Sequence, residues 1–108
     1  MTTVKIDHVS VTTQANVYFD GKCVSHSLTL ADGSKKSVGV MLPGNLTFTT
    51  GAAEILECVA GGCDYKLAGS SEWLKSSVGE SFSVAANATF EIRVTDGFDA
   101  YHYICHVG

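Results

Sequence analysis

The chain has 108 residues, of which 45% are hydrophobic and 17% charged, and its formal net charge is −4. This composition predicts one folded domain with one core and excludes a disordered chain, which would be less hydrophobic and more charged. The seven lysines and arginines are scattered, and only Lys35 and Lys36 are adjacent. A nucleic-acid-binding protein usually presents a basic face, so we expect no nucleic-acid partner.

The N-terminal sequence and the cysteines bear on cellular location. The first seven residues, Met-Thr-Thr-Val-Lys-Ile-Asp, lack the charged-then-apolar pattern of an export signal. No apolar run approaches the ~18 residues of a membrane helix, so we expect a cytoplasmic protein without membrane contact. No CxxC spacing occurs, and in a reducing compartment the cysteines are expected to be free, buried thiols. They are Cys23, Cys58, Cys63 and Cys105.

Strand patterns recur along the chain, with turn residues at intervals of about ten positions, which is typical of an all-β barrel or sandwich. The predicted strands lie at 3–12, 22–30, 37–42, 46–50, 55–59, 63–67, 80–84, 89–94 and 100–106. Asp32-Gly33 predicts one hairpin turn, and Gly61-Gly62 predicts a second between 55–59 and 63–67. So many short strands require barrel closure or pairing with a second chain, because open sheets expose edges. The strand at 3–12 is expected to be the least anchored.

Two segments are similar to the signature blocks of cupins. The first is Glu54–Gly61, and the second is Gly79–Asn87, in which Asn87 occupies a bend position that favours positive φ. In metal-binding cupins these blocks supply three histidines and a glutamate. The corresponding positions here are Phe48, Thr50, Glu54 and Phe90. Phenylalanine and threonine do not provide a divalent-metal site, so we expect no metal and no cofactor, which disfavours a metal-dependent cupin oxygenase or isomerase.

A closer resemblance extends from about Asn16 to the end of the chain. The residues that carry it are Tyr18-Phe19-x-Gly21-Lys22, Ser37-Val38-Gly39-Val40-Met41-x-x-Gly44, Phe48-x-Thr50, Glu54, Gly61, Leu67-x-Gly69, Trp73, Gly79-x-x-Phe82 and Tyr103-x-Cys105. The pattern resembles the small pyrimidine/purine nucleoside phosphorylases of the cupin superfamily. The resemblance implies a single cupin-like (jelly-roll) β-barrel, with 16–108 as the family core and 1–15 as an N-terminal extension. It also implies a homodimer that converts nucleosides and phosphate to free base and pentose 1-phosphate with broad base tolerance.

Phosphorolysis requires a carboxylate near the sugar, a surface for the base and an anion site. Glu54 is the candidate catalytic carboxylate, since an oxocarbenium-like transition state carries positive charge. The alternative is a solvated carboxylate at a strand start. Phe48 and Phe90 are candidates for stacking on the base, with Thr50 beside them as a hydroxyl donor. Core packing is the alternative for both aromatic residues.

For the anion site we predict Lys35, Lys36 and the backbone of Ser37, Val38 and Gly39, which form a short cationic, glycine-containing stretch. An ordinary basic hairpin end is the alternative, and Lys22 is a second candidate. Arg93 would suit a phosphate, but strand alternation with Phe90, Ile92 and Val94 points it outward.

The C-terminal histidines do not form a convincing metal site with their neighbouring cysteine. His102 and His106 share one strand face, whereas Cys105 points to the other. The leading function is therefore nucleoside phosphorolysis. The alternative is a non-catalytic cupin that binds a small sugar or a nucleoside-like ligand.

Overall fold

The computed structural model describes residues 4–95 and 97–108. Ten strands and one 3-10 turn make up its regular structure. The strands are β1 (Val9–Val11), β2 (Asn16–Tyr18), β3 (Cys23–Leu30), β4 (Lys35–Met41), β5 (Gly44–Thr49), β6 (Glu54–Lys66), β7 (Leu74–Ser77), β8 (Ser81–Val84), β9 (Thr89–Val94) and β10 (Tyr101–Val107), and the turn is Phe19–Gly21. The prediction of an all-β chain is confirmed. In the described part of the chain no helix is long and apolar enough to cross a bilayer.

All strand pairs are antiparallel and form two sheets that share β6. In the first sheet β3 pairs with three strands, β1, β2 and β4. The sheet continues from β4 to β10 and from β10 to the N-terminal half of β6. That half of β6 also pairs with β8. In the second sheet the C-terminal half of β6 pairs with β7 and β9, and β9 pairs with β5. The two sheets curl toward each other around one core.

The predicted hairpin at Gly61-Gly62 is wrong, because both glycines lie inside the continuous 13-residue strand β6. At this point β6 leaves the first sheet and enters the second. Gly61 has φ +70, and a Cβ atom there would overlap the carbonyl oxygen of Ala100. The Gly62 N–H donates to the same carbonyl at 3.2 Å. The glycines therefore allow a bend and a close backbone approach, which is a frequent role of glycine within barrel strands.

Other turn predictions agree with the structure. The Asp32-Gly33 turn joins β3 to β4, and the Ser34 backbone N–H donates to the Asp32 Oδ1 at 2.9 Å. Asn87 has φ 54, as its place in the bend between β8 and β9 predicts. The sequence patterns did not predict β2 and β7, which are short and consist largely of exposed residues.

The core lies between the sheets and includes all four cysteines, which are free and buried. The alternation of β9 is clear: Phe90, Ile92 and Val94 point inward, while Arg93 bonds Asp64 at 3.4 Å and lies 4.0 Å from the Trp73 ring centroid. The outward prediction for Arg93 is therefore confirmed.

The N-terminal extension lies along the edge and outer face of the first sheet. Its strand is shorter than the predicted 3–12: β1 covers Val9–Val11 and pairs with β3, and residue 3 lies outside the described residues. The backbone N–H of Thr12 donates to Ser27 at 2.9 Å, and the Nδ1 atom of His26 bonds the Thr12 carbonyl oxygen at 3.1 Å.

Candidate active site

A cavity of about 210 Å³ opens between the two sheets. One part of its lining is polar and comes from β3, β4, β6 and β10, and another part is aromatic. The polar residues are Ser25, Ser37, Glu54, Tyr103 and Cys105, the aromatic ones are Tyr18, Phe48 and Phe90, and Met41, Thr49, Thr50 and Leu56 complete the lining. Five of the predicted site residues therefore line one cavity, although they come from separate parts of the chain.

Glu54 begins β6 and is half-buried at the cavity. Its carboxylate lies near the Cys105 thiol, which also lies near the Ser37 hydroxyl. Burial, together with the charge of Glu54, raises the pKa of the Cys105 thiol to about 12. The thiol is therefore protonated at neutral pH and adds no second negative charge beside Glu54.

Phe48 and Phe90 are directly paired across β5 and β9, and their rings stack at 5.5 Å between centroids. Phe90 is only 3% exposed and also packs edge-on against Phe82. Phe48 is partly exposed. The geometry thus presents Phe48 to the cavity, while Phe90 supports it from the core.

Thr50 is brought to the cavity, but its hydroxyl is engaged with backbone groups. The Oγ1 atom donates to the Ala85 carbonyl oxygen at 2.6 Å and accepts the Ala88 N–H at 3.0 Å. Its hydrogen is therefore committed to the bend between β8 and β9. Thr50 stabilises that bend, and through it the position of Phe90.

The predicted anion stretch does not act as one unit. Ser37 lines the cavity, but Lys35 lies at the exposed hairpin end, where its Nζ atom bonds the Thr29 hydroxyl at 3.0 Å. A Cβ at Gly39 would lie 2.8 Å from the Tyr103 hydroxyl, so this glycine makes room for the tyrosine. Among the described residues, no lysine or arginine lines the cavity.

Lys36 lies on the opposite face of β4, away from the cavity. Its Nζ atom contacts the Nδ1 atom of His106, whose Nε2 atom bonds the Glu57 carboxylate at 2.9 Å. His102 is exposed on the same outer face, whereas Cys105 points into the cavity. The predicted separation of the histidines from Cys105 is confirmed.

Tyr18, Ser25 and Tyr103 are cavity residues that the sequence patterns did not identify as ligand-binding. Ser25 faces inward from β3, where the Asn16 side chain donates to its hydroxyl at 3.4 Å. The Tyr103 hydroxyl contacts the Cys23 thiol at 3.6 Å. The period-two pattern of β3 places Cys23 and Ser25 on one face, but nothing local shows that this face borders a cavity.

The cavity residues do not fit a cupin metal centre. At the ligand positions only Glu54 can coordinate a metal, while Phe48 and Phe90 fill space and the Thr50 hydroxyl is bonded to the backbone. In the part of the chain that the structure describes, no three His, Cys, Asp or Glu side chains are arranged to hold a metal ion.

Comparisons with known proteins agree with this architecture. The family described as "Pyrimidine/purine nucleoside phosphorylase" matches residues 13–107. A relative of that name from Polaromonas naphthalenivorans is 76% identical over 106 residues, which cover 98% of both chains. A solved protein of unknown function from Acinetobacter sp. ADP1 is 40% identical, with a TM-score of 0.91 over 96% of this chain and 98% of that one. The cupin-fold protein FeII HppE is 13% identical, with a TM-score of 0.73 over 88% of this chain and 55% of that one. At this low identity the similarity supports the cupin-like fold alone.

Proposed function

Because the chain belongs to the pyrimidine/purine nucleoside phosphorylase family, we propose that it cleaves both purine and pyrimidine nucleosides with inorganic phosphate. It is then a pentosyltransferase: the bond from C1′ to the base nitrogen breaks, and a bond from C1′ to a phosphate oxygen forms. The electron pair leaves with the base, which takes up a proton. The observation that carries the proposal is the single carboxylate of Glu54 in a cavity with an aromatic surface at Phe48.

We propose Glu54 as the catalytic carboxylate of this reaction, because it is the one carboxylate among the described residues that line the cavity. As the glycosidic bond breaks, the sugar acquires oxocarbenium character, and a nearby negative charge stabilises it. The start of β6 places Glu54 at the cavity beside the neutral Cys105 thiol, so little reorganisation is needed when the charge develops.

Broad base tolerance follows from the character of the aromatic surface. Every base has a π-face, so stacking on Phe48 discriminates little between purines and pyrimidines. Strong rejection of an analogue would need buried hydrogen-bonding groups aimed at the base edge. Thr50, the nearest such candidate, has its hydrogen bonded to Ala85.

We place the phosphate against the polar wall formed by Ser25 and Ser37, with Tyr103 beside them. Of the predicted anion residues, Ser37 is retained in this proposal. Phosphate is already anionic at neutral pH, so it needs positioning more than activation. Positioning of reactants lowers barriers by ~7–11 kcal/mol in the best intramolecular cases.

The proposal is tested by incubating the purified protein with adenosine or uridine, with and without phosphate, in the presence of a chelator. We expect base release from both nucleosides only when phosphate is supplied, with one phosphate consumed per base released. The chelator should have no effect, because we propose that no metal cofactor takes part. Equal release without phosphate would indicate a hydrolase, and no release from either nucleoside would favour a non-catalytic binding protein.

We also propose that the protein is a homodimer joined through the outer face of the first sheet. A groove of about 660 Å³ lies there between the N-terminal extension and the sheet, and its lining is mainly aliphatic. Val4 and Val11 at this groove are 50% and 52% exposed. Apolar surface of this kind is usually covered by a partner.

Light scattering is expected to give twice the chain mass of 11.4 kDa. Val11→Glu should shift the mass toward the monomer, because it places a charge in the groove. Val78→Glu is the matched control, since Val78 is 61% exposed, lies between β7 and β8 and does not line the groove. A monomeric mass for the unaltered protein would contradict the dimer.

We place this activity in the cytoplasm. Four free, buried cysteines suit a reducing compartment, where thiols persist and serve as small apolar core residues.

A further inference from the structure

The cavity is smaller than the substrates of the proposed reaction require. Its volume of about 210 Å³ lies below the ~300–1,000 Å³ that is usual for sites of drug-sized ligands. Its deep residues, Ser25, Tyr103 and Cys105, are polar and at most 6% exposed. These groups suit a sugar and a phosphate, so the base has to lie farther out, at the cavity mouth.

The mouth is formed by aromatic residues at the end of β2. Tyr18 lines the cavity and is 47% exposed, and the next residue, Phe19, is 42% exposed. The Phe19 ring meets the Phe48 ring edge-on, with 5.3 Å between centroids. Three aromatic side chains therefore surround the position where the base would emerge.

The backbone at the mouth has an unusual conformation. Phe19 and Asp20 have φ values of 52 and 55, in the left-handed region that bulky residues rarely adopt. Such conformations are energetically unfavourable and cluster at active sites and ligand-binding sites. The turn directs Phe19 against Phe48, and it leaves the preceding Tyr18 at the cavity edge.

We infer that Tyr18 is a base-binding residue, whose ring stacks on the nucleoside base at the cavity mouth beside Phe48. This inference rests on the proposed function. Neither the strand pattern nor the positions of the metal ligands in cupins indicates that Tyr18 binds a ligand. Because the mouth is open, the ring can contact a purine or a pyrimidine, while the buried polar wall holds the sugar and the phosphate. Tyr18 thus contributes to nucleoside affinity without selecting the base.

The test compares Tyr18→Ala with Tyr18→Phe, which keeps the ring. Loss of stacking should raise KM for both adenosine and uridine by about tenfold, with kcat and the KM for phosphate changed less than about twofold. Tyr18→Phe should behave like the unaltered protein. Val17→Ala is the matched control, because Val17 lies on the same strand, is exposed and does not line the cavity.

Equilibrium dialysis of adenosine and uridine without phosphate separates this inference from the proposed reaction. Weaker binding to Tyr18→Ala supports the inference even if no base is released, in which case the proposed reaction alone fails. Unchanged binding and KM in Tyr18→Ala would overturn the inference. A change of KM for only one class of base would overturn the claim that Tyr18 does not select between bases.

Discussion

Glu54→Gln is expected to lower kcat for phosphorolysis by at least about tenfold, which corresponds to ~1.4 kcal/mol of transition-state stabilisation. Glutamine keeps the size and shape of the side chain, but it removes the negative charge. That charge matters most when the sugar carries positive charge, so the loss should appear in kcat more than in KM. The melting temperature should change little, because Glu54 is only half-buried and glutamine has the same shape.

Glu57→Gln is the matched control for this prediction. Glu57 lies three residues farther along β6, and its carboxylate bonds His106 on the outer face. The same chemical change there should leave kcat within about twofold. If Glu54→Gln, like Glu57→Gln, kept the kcat of the unaltered protein, Glu54 would be a surface carboxylate at the start of a strand, without a role in catalysis.

Gly61→Ala is expected to lower the free energy of unfolding more than a glycine-to-alanine substitution at any other described glycine with positive φ. The new Cβ would overlap the Ala100 carbonyl oxygen, which belongs to backbone and cannot rotate away. The left-handed conformation, φ +70, adds ~1–2 kcal/mol for any residue with a Cβ. Displacing the chain before β10 should bring the total to about 3–5 kcal/mol, a large share of the ~5–15 kcal/mol that stabilises a typical domain.

Gly69→Ala and Gly79→Ala distinguish the energetic cost of the atomic overlap from the cost of the left-handed backbone conformation. Both glycines have positive φ, +77 and +88, but a Cβ at either would meet no atom within 4 Å. Each should therefore cost only ~1–2 kcal/mol. Urea unfolding of the three variants measures the difference. A loss at Gly61 no greater than at Gly69 would show that the β6 backbone moves freely there.

Local sequence patterns predicted much of the strand architecture. Apolar side chains at alternate positions identified the inward face of β9, and the same period placed Arg93 outward. Asp32-Gly33 and Asn87 marked bends because their backbone preferences are local properties. Gly61-Gly62 was ambiguous for the same reason. Glycine suits a turn as well as a close approach of two backbones, and only the contact with Ala100 distinguishes them.

The membership of the cavity was decided by tertiary structure. Period-two alternation puts Lys35 and Ser37 on one face of β4, but it does not say where along the strand the cavity ends. The antiparallel pairing of β4 with β10 and of β10 with β6 brings Ser37, Cys105 and Glu54 together, while Lys35 lies beyond them at the hairpin. The sequence by itself determined which residues alternate, turn and resemble the family. Strand register between distant segments decided which side chains meet, because pairing partners about 40 to 70 residues apart leave no local pattern.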